Sequence, residues 1–183
     1  MFIQTETTPN PATLKFIPGC TVMDTGTASF GRPDDAWRSP LALRLFEIDG
    51  VAGVFLGSDF VTVSKMPNRE WEVMKPQILA AIMDHFTAGE PVLTEGAAID
   101  DGGEGDDEIS AKIRELIETR VRPAVAQDGG DILFRSFEDG VVYLHMQGSC
   151  AGCPSSTLTL KMGIENLLRH YIPEVREVRP VAA

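Results

Sequence analysis

With 183 residues, 43% of them apolar, the chain is long enough for one large domain or two small ones with buried cores. No apolar stretch approaches the roughly 18–20 residues of a membrane span, and the net charge of −11 comes without the basic stripe of a nucleic-acid binder. Three cysteines, only two of them close in sequence, argue against a secreted disulfide framework and for a reducing compartment.

The charge is uneven. Residues 1–94 hold eleven acids and seven bases, residues 95–108 seven acids and no base, and residues 109–183 nine of each. The middle segment, Glu95 to Glu108, is rich in glycine and nearly free of large apolar side chains, so it cannot bury enough surface to order itself. It reads as a flexible acidic linker, kept open by self-repulsion and reaching about 20 Å. The expected domains are therefore 1–94 and 109–183. The opening Met1–Thr8 has neither a signal-peptide nor a transit-peptide pattern, and it reads as a strand that begins at once.

In the first domain, Phe2–Thr8 predicts an edge strand and Leu14–Ile17 a second one, separated by the turn Pro9-Asn10-Pro11. Ser39-Pro40 opens a helix with Ser as N-cap and Pro in its first turn, and Leu41, Leu45 and Ile48 mark its buried side. Val51–Leu56 and Phe60–Ser64 flank Gly57-Ser58-Asp59 as a hairpin. Asn68 then caps a helix whose apolar positions are Trp71, Met74, Ile78, Ile82 and Phe86, with Pro76 expected to kink or split it. No catalytic cluster is visible in this half.

In the second domain, Ile109, Ile113, Leu116, Ile117, Val121 and Val125 predict an amphipathic helix, with Asp106, Asp107 and Glu108 at its positive end. Asp128-Gly129-Gly130-Asp131 ends it. Two strands follow, Ile132–Phe137 and Val141–Gln147, joined through Glu138-Asp139-Gly140. A loop with two cysteines leads to a helix with Leu158, Met162, Ile164 or Glu165, Leu168 and Tyr171 near one side. Pro173 stops that helix, and Val175–Val178 is a last strand. The fold class is α+β: two small mixed domains, the C-terminal one in the order α-β-β-α-β.

The chemistry concentrates in Gly148-Ser149-Cys150-Ala151-Gly152-Cys153-Pro154-Ser155-Ser156. Pro154 suits a first helical turn, which places Cys153 near an N-cap, where backbone N–H groups and the positive helix end favour thiolate over thiol. Ser155 and Ser156 can cap the helix or donate to sulfur. Two thiols three residues apart hold one disulfide or half of a metal centre. Three readings follow: a thioredoxin-like dithiol–disulfide pair; half of a zinc site completed by His145 and His170; or half of an iron–sulfur site completed by a second copy of the chain. Against the first, the loop follows an antiparallel hairpin instead of a βαβ unit. Against the second, His145 alternates as an outward strand residue and His170 suits a helix C-terminus. In the third, two protomers supply Cys150 and Cys153 twice around a two-fold axis.

Asp128-Gly129-Gly130-Asp131-Ile132, the hairpin and the cysteine loop together resemble the C-terminal domain of the NifU family, of the Nfu type. Phe2-Ile-Gln-Thr-Glu-Thr-Thr-Pro-Asn-Pro-Ala-Thr-Leu-Lys-Phe16 resembles the N-terminal domain of the mitochondrial-type and α-proteobacterial Nfu proteins. The resemblance implies a non-enzymatic scaffold or carrier that holds a 4Fe–4S cluster, with a 2Fe–2S form as the variant, between two protomers. Cys150 and Cys153 would be the ligands. The implied partners are a second protomer, upstream cluster-assembly machinery and apo iron–sulfur acceptors. Because eukaryotic relatives carry a transit peptide and this sequence opens on a strand, the expected compartment is the bacterial cytoplasm, or the mitochondrial matrix for a processed chain. Cys20, alone after Pro18-Gly19, reads as an incidental thiol.

Overall fold

In the computed structural model, residues 2–8, 10–94, 107–150 and 156–181 are described. The chain divides into two compact units, Met1–Asp100 and Asp101–Ala183. No helix among the described residues is long and apolar enough to cross a membrane.

The first unit contains the strands β1 (Gln4–Thr7), β2 (Thr13–Ile17), β3 (Ala28–Phe30), β4 (Val51–Leu56) and β5 (Val61–Lys65), and the helices α1 (Pro40–Phe46) and α2 (Trp71–Ala88). The strands form one antiparallel sheet in the order β1-β2-β5-β4-β3. The Ser39 hydroxyl accepts from the Ala42 amide at 3.1 Å, as its place before Pro40 predicts. Leu41 and Leu45 from α1 join Met74, Ile78 and Ile82 from α2 and Phe16, Leu56 and Val63 from the sheet in one core.

Asn68 as N-cap and a split at Pro76 both fail in α2. Its N-cap is Glu70, not Asn68, and Pro76 lies inside an unbroken helix. The ring costs the amide that would bond the Glu72 carbonyl. Glu72 and Pro76 are both exposed, so water can satisfy that carbonyl, while Met74 and Ile78 hold the opposite side in the core.

The second unit starts with α3 (Glu108–Leu116), continues through a π-helical turn (Ile117–Val121) and ends its first helical run with α4 (Arg122–Gln127). Most of the acidic segment lies outside the described residues. Its last two members do not: Asp107 caps α3 by accepting from the Ser110 amide at 2.8 Å, and Glu108 is the first helical residue. A hydrogen bond from the Ser110 hydroxyl and, after it, the one from the Ser110 amide lower the carboxyl pKa of Asp107.

The π-helical turn has two causes in the sequence. Ile113, Ile117, Val121 and Val125 are four residues apart, a spacing that drifts around a 3.6-residue helix, and a wider turn keeps all four buried in one core. Pro123 also lacks the amide that an α-helix needs at that point. The Arg122 amide reaches back to the Ile117 carbonyl, the i→i+5 bond of a π-helix.

β6 (Gly130–Glu138) and β7 (Val141–Gly148) form an antiparallel hairpin. Asp139 and Gly140 both have positive φ, 50° and 80°, as a two-residue turn of the hairpin type requires. After α5 (Ser156–Tyr171), β8 (Glu177–Val181) pairs with β7 in parallel, giving the order β6-β7-β8. The unit therefore has the predicted α-β-β-α-β order, its first helix broken only in hydrogen-bond pattern.

Along α5, Ile164 and Leu168 enter the core, but Met162 and Tyr171 are 56% and 48% exposed. Met162 is off the buried side assigned to it; Tyr171 lies on that side but at the last position of the helix. Positions 162 and 164 lie about 200° apart on a helix, and the core takes the second.

Candidate functional site

The site is built from the turn that ends α4, the first residues of β6 and the last of β7. Gly129 has φ 79°, which lets the chain reverse out of α4 into β6. Gly130 then pairs with Gly148 across the hairpin, bringing the Asp-Gly-Gly turn against the start of the cysteine loop.

Three contacts fix this junction. The Ser149 amide donates to the Gly129 carbonyl at 3.3 Å, the Ser149 hydroxyl donates to the Asp128 carbonyl, and the Cys150 amide donates to the Gln147 carbonyl at 3.3 Å. Cys150 is buried at the edge of the unit's core. Its sulfur lies over the Cα of Gly130: a Cβ at that position would sit 2.5 Å from Sγ, 3.0 Å from the Cys150 amide and 3.0 Å from the Ser149 hydroxyl. Glycine here leaves a cradle for the thiol.

Arg122 and Asp131 brace the same junction. Asp131, buried, accepts from Arg122 Nε and Nη2 at 2.8 Å each, and its Oδ1 also accepts from the Ile132 amide at 2.8 Å. This ties the start of α4 to the start of β6 on either side of the turn that presents Gly130. The sequence gives Asp131 a place in the helix-ending motif but no sign of Arg122, because nothing in a nine-residue spacing announces an ion pair across a turn.

Of the predicted ligands, Cys150 is placed and buried, while Cys153, with Pro154 and Ser155, lies outside the described residues. The same holds for the predicted N-cap at Cys153. His145, expected to point outward, is instead buried, because β7 is the central strand of its sheet and His145 sits between Leu133 and Val181. His170 lies in the exposed last turn of α5, edge-on to Tyr171. Among the described residues, no three His, Cys, Asp or Glu side chains come together as a metal site; Cys153, which the zinc reading also needs, is not one of them. Cys20 is half-buried in the loop between β2 and β3 of the first unit.

Comparison with known proteins places the chain in a family. Residues 3–89 match the family profile described as scaffold protein Nfu/NifU N terminal, and residues 113–179 match the NifU-like domain. The chain belongs to the Nfu/NifU family.

Among relatives of this Nfu/NifU chain, the human protein named NFU1 iron-sulfur cluster scaffold homolog, mitochondrial, is 54% identical over 99% of the chain and 72% of its own length. NifU-like protein 4, mitochondrial, of Arabidopsis thaliana is 52% identical over 97% of the chain. The chain spans 65% of that plant protein's length. A solution structure of a NifU-like protein from Saccharomyces cerevisiae covers 52% of this chain and 86% of its own, with 27% identity and a TM-score of 0.48. None of these matches supports a thioredoxin-like oxidoreductase.

Proposed function

We propose that this protein is an iron–sulfur cluster scaffold and carrier whose cargo is held between two protomers by Cys150 and Cys153 of each. The observation that carries the reading is a shortage of ligands. The second unit contains two cysteines, and no ligand set of three or more forms among the described residues. A cuboidal cluster takes four thiolates, so a second copy supplies the other pair. The Gly130 cradle supports Cys150 in this role, because a side chain at position 130 would crowd the sulfur.

The cargo in this reading is a 4Fe–4S cluster. Release proceeds by ligand exchange without redox change: an acceptor thiol gives up its proton as its sulfur bonds iron, and the displaced cysteine thiolate takes up a proton. Ligands shared across a subunit contact make such release stepwise. The protein's role is carriage and not catalysis. Its partners are apo iron–sulfur acceptors and the machinery that supplies clusters. The names of its relatives place them in mitochondria, which favours the mitochondrial alternative and gives no support to the bacterial cytoplasm. The domains of this reading are 1–94 and 109–183, with 95–108 as the connector between cluster-holding and partner-recognising halves.

Anaerobic reconstitution with iron and sulfide tests the reading. A brown dimer with about two irons per chain is the expected product. Cys150→Ser and Cys153→Ser should each abolish retention, and Cys20→Ser should leave it intact. A loaded monomer with its coordination complete would overturn the proposal.

A further inference from the structure

The exposed side of α5 offers a surface that the described residues of the second unit leave uncovered. Met162 is 56% exposed, and Gly163 and Asn166 beside it are exposed as well, while Ile164 and Leu168 fill the core on the opposite side. Residues 162, 163 and 166 form one uncharged patch at helical spacing. Lys161, Glu165 and Arg169 border it, with Lys161 directed to Glu177 and Arg169 to Glu165.

Gly163 is the informative member. A glycine inside a helix is less stable than alanine there, and it usually answers to a positive φ or a close neighbour. Gly163 answers to neither: it does not have positive φ, and a Cβ added to it meets nothing within 4 Å among the described atoms. The missing side chain leaves room that no described residue of the chain fills.

Position and charge select the occupant. Cys153 precedes Ser156 by three residues, a span of at most about 11 Å, and Met162 lies about 9 Å further along the helix. Two cysteine loops converging on one cluster bring the first turns of two such helices near each other. Self-association also requires a surface that does not repel its own copy. Residues 109–183 hold nine acids and nine bases, whereas residues 1–94 carry four excess acids and the connector seven. By net charge, self-association is disfavoured in residues 1–108 and not in residues 109–183, the part that bears α5.

We infer that the Met162–Gly163–Asn166 side of α5 is the surface against which the second protomer packs when the cluster is shared. This rests on the shared-cluster reading above and names the contact that completes it. In an isologous contact the patch meets its own copy or lies beside it, with Met162 as the apolar anchor and Gly163 as the point of close backbone approach.

The test uses the full chain, loaded anaerobically, with mass and iron content followed during dilution. Met162→Glu and Gly163→Arg should keep the far-UV spectrum and apo melting temperature of the wild type, because both positions are exposed. Each should weaken the loaded dimer by about tenfold or more, with cluster lost at correspondingly higher protein concentration. Val73→Glu, an equally exposed apolar position on α2, is the control and should change neither. Asn166→Arg serves as a third variant if either of the first two fails to fold. Loaded dimers of normal tightness in the folded variants would overturn the inference and leave the shared-cluster reading standing. A wild-type protein that holds its cluster as a monomer would remove both.

Discussion

Arg122 and Asp131 meet through two parallel hydrogen bonds of 2.8 Å, Nε to Oδ1 and Nη2 to Oδ2, with the Asp131 side chain only 4% exposed. This fork-to-carboxylate geometry suits arginine and not lysine. It clamps the first residue of α4 to the second of β6, so the turn between them, which carries Gly129 and Gly130, has both ends held.

Arg122→Ala should therefore destabilise the second unit by about 3 kcal/mol, because it removes the guanidinium that pairs with a buried carboxylate. Arg122→Ala combined with Asp131→Asn should recover part of that loss, since the buried charge is gone. Urea unfolding of the apo protein, followed for the second unit, measures both. A loss below about 1 kcal/mol for the single variant would show that the pair is solvated like a surface bridge.

Gly130→Ala tests the cradle directly. The new methyl would lie 2.5 Å from Cys150 Sγ, well inside contact distance, so the thiol or the strand must shift. Overpacking of this kind costs about 1–3 kcal/mol. The expected outcome is a folded apo protein with a modestly lower melting temperature and a cluster that leaves several times faster after reconstitution. Unchanged retention would mean that the Cys150 sulfur moves away from Gly130 on loading.

Much of this architecture could be read from the sequence because the decisive signals were local. Ser39-Pro40 marks a helix start through one hydroxyl and one ring, and Asp139-Gly140 marks a hairpin because two successive residues tolerate positive φ. The cysteine loop stood out by composition alone, while its chemistry stayed open among three readings. What was not legible depends on neighbours distant in sequence. The burial of His145 comes from β8 pairing on the far side of β7, and the Arg122–Asp131 clamp comes from the reversal between α4 and β6. The π-helical turn lies between these cases: the four-residue spacing of Ile113, Ile117, Val121 and Val125 was visible, as was Pro123, but only packing forces the helix to widen. For Pro76, the rule that proline breaks helices failed because its lost bond faces solvent.

Ser39 gives a test confined to the first unit. Its side chain is fully buried and its hydroxyl satisfies the Ala42 amide, one of the donors that α1 leaves open at its start. Ser39→Ala should cost about 1 kcal/mol, and Ser39→Asp should restore part of the cap only if the buried site tolerates its charge. Thermal unfolding of the apo protein reads both. Cluster retention, a property assigned to the second unit, should not change.

His85 predicts how the first unit responds to pH. Its side chain is fully buried in α2, edge-on to Phe86, and neither ring nitrogen has a hydrogen-bond partner among the described residues. Burial is the largest influence and lowers its pKa below the usual 6.5; Glu90, 3.8 Å from Nδ1, pulls the other way, and Arg44, which bridges to the same carboxylate, adds to the lowering. The folded state thus binds the proton more weakly than the unfolded chain does. The stability that His85 contributes is complete above pH 6.5 or so, and it falls away as the pH drops through the unfolded pKa towards the lower folded one. The urea midpoint of the first unit should decline between pH 7.5 and 5.5. His85→Leu, which fills the same apolar site without a titrating ring, should flatten that decline. An equal slope in the variant would assign the pH dependence to the carboxylates instead.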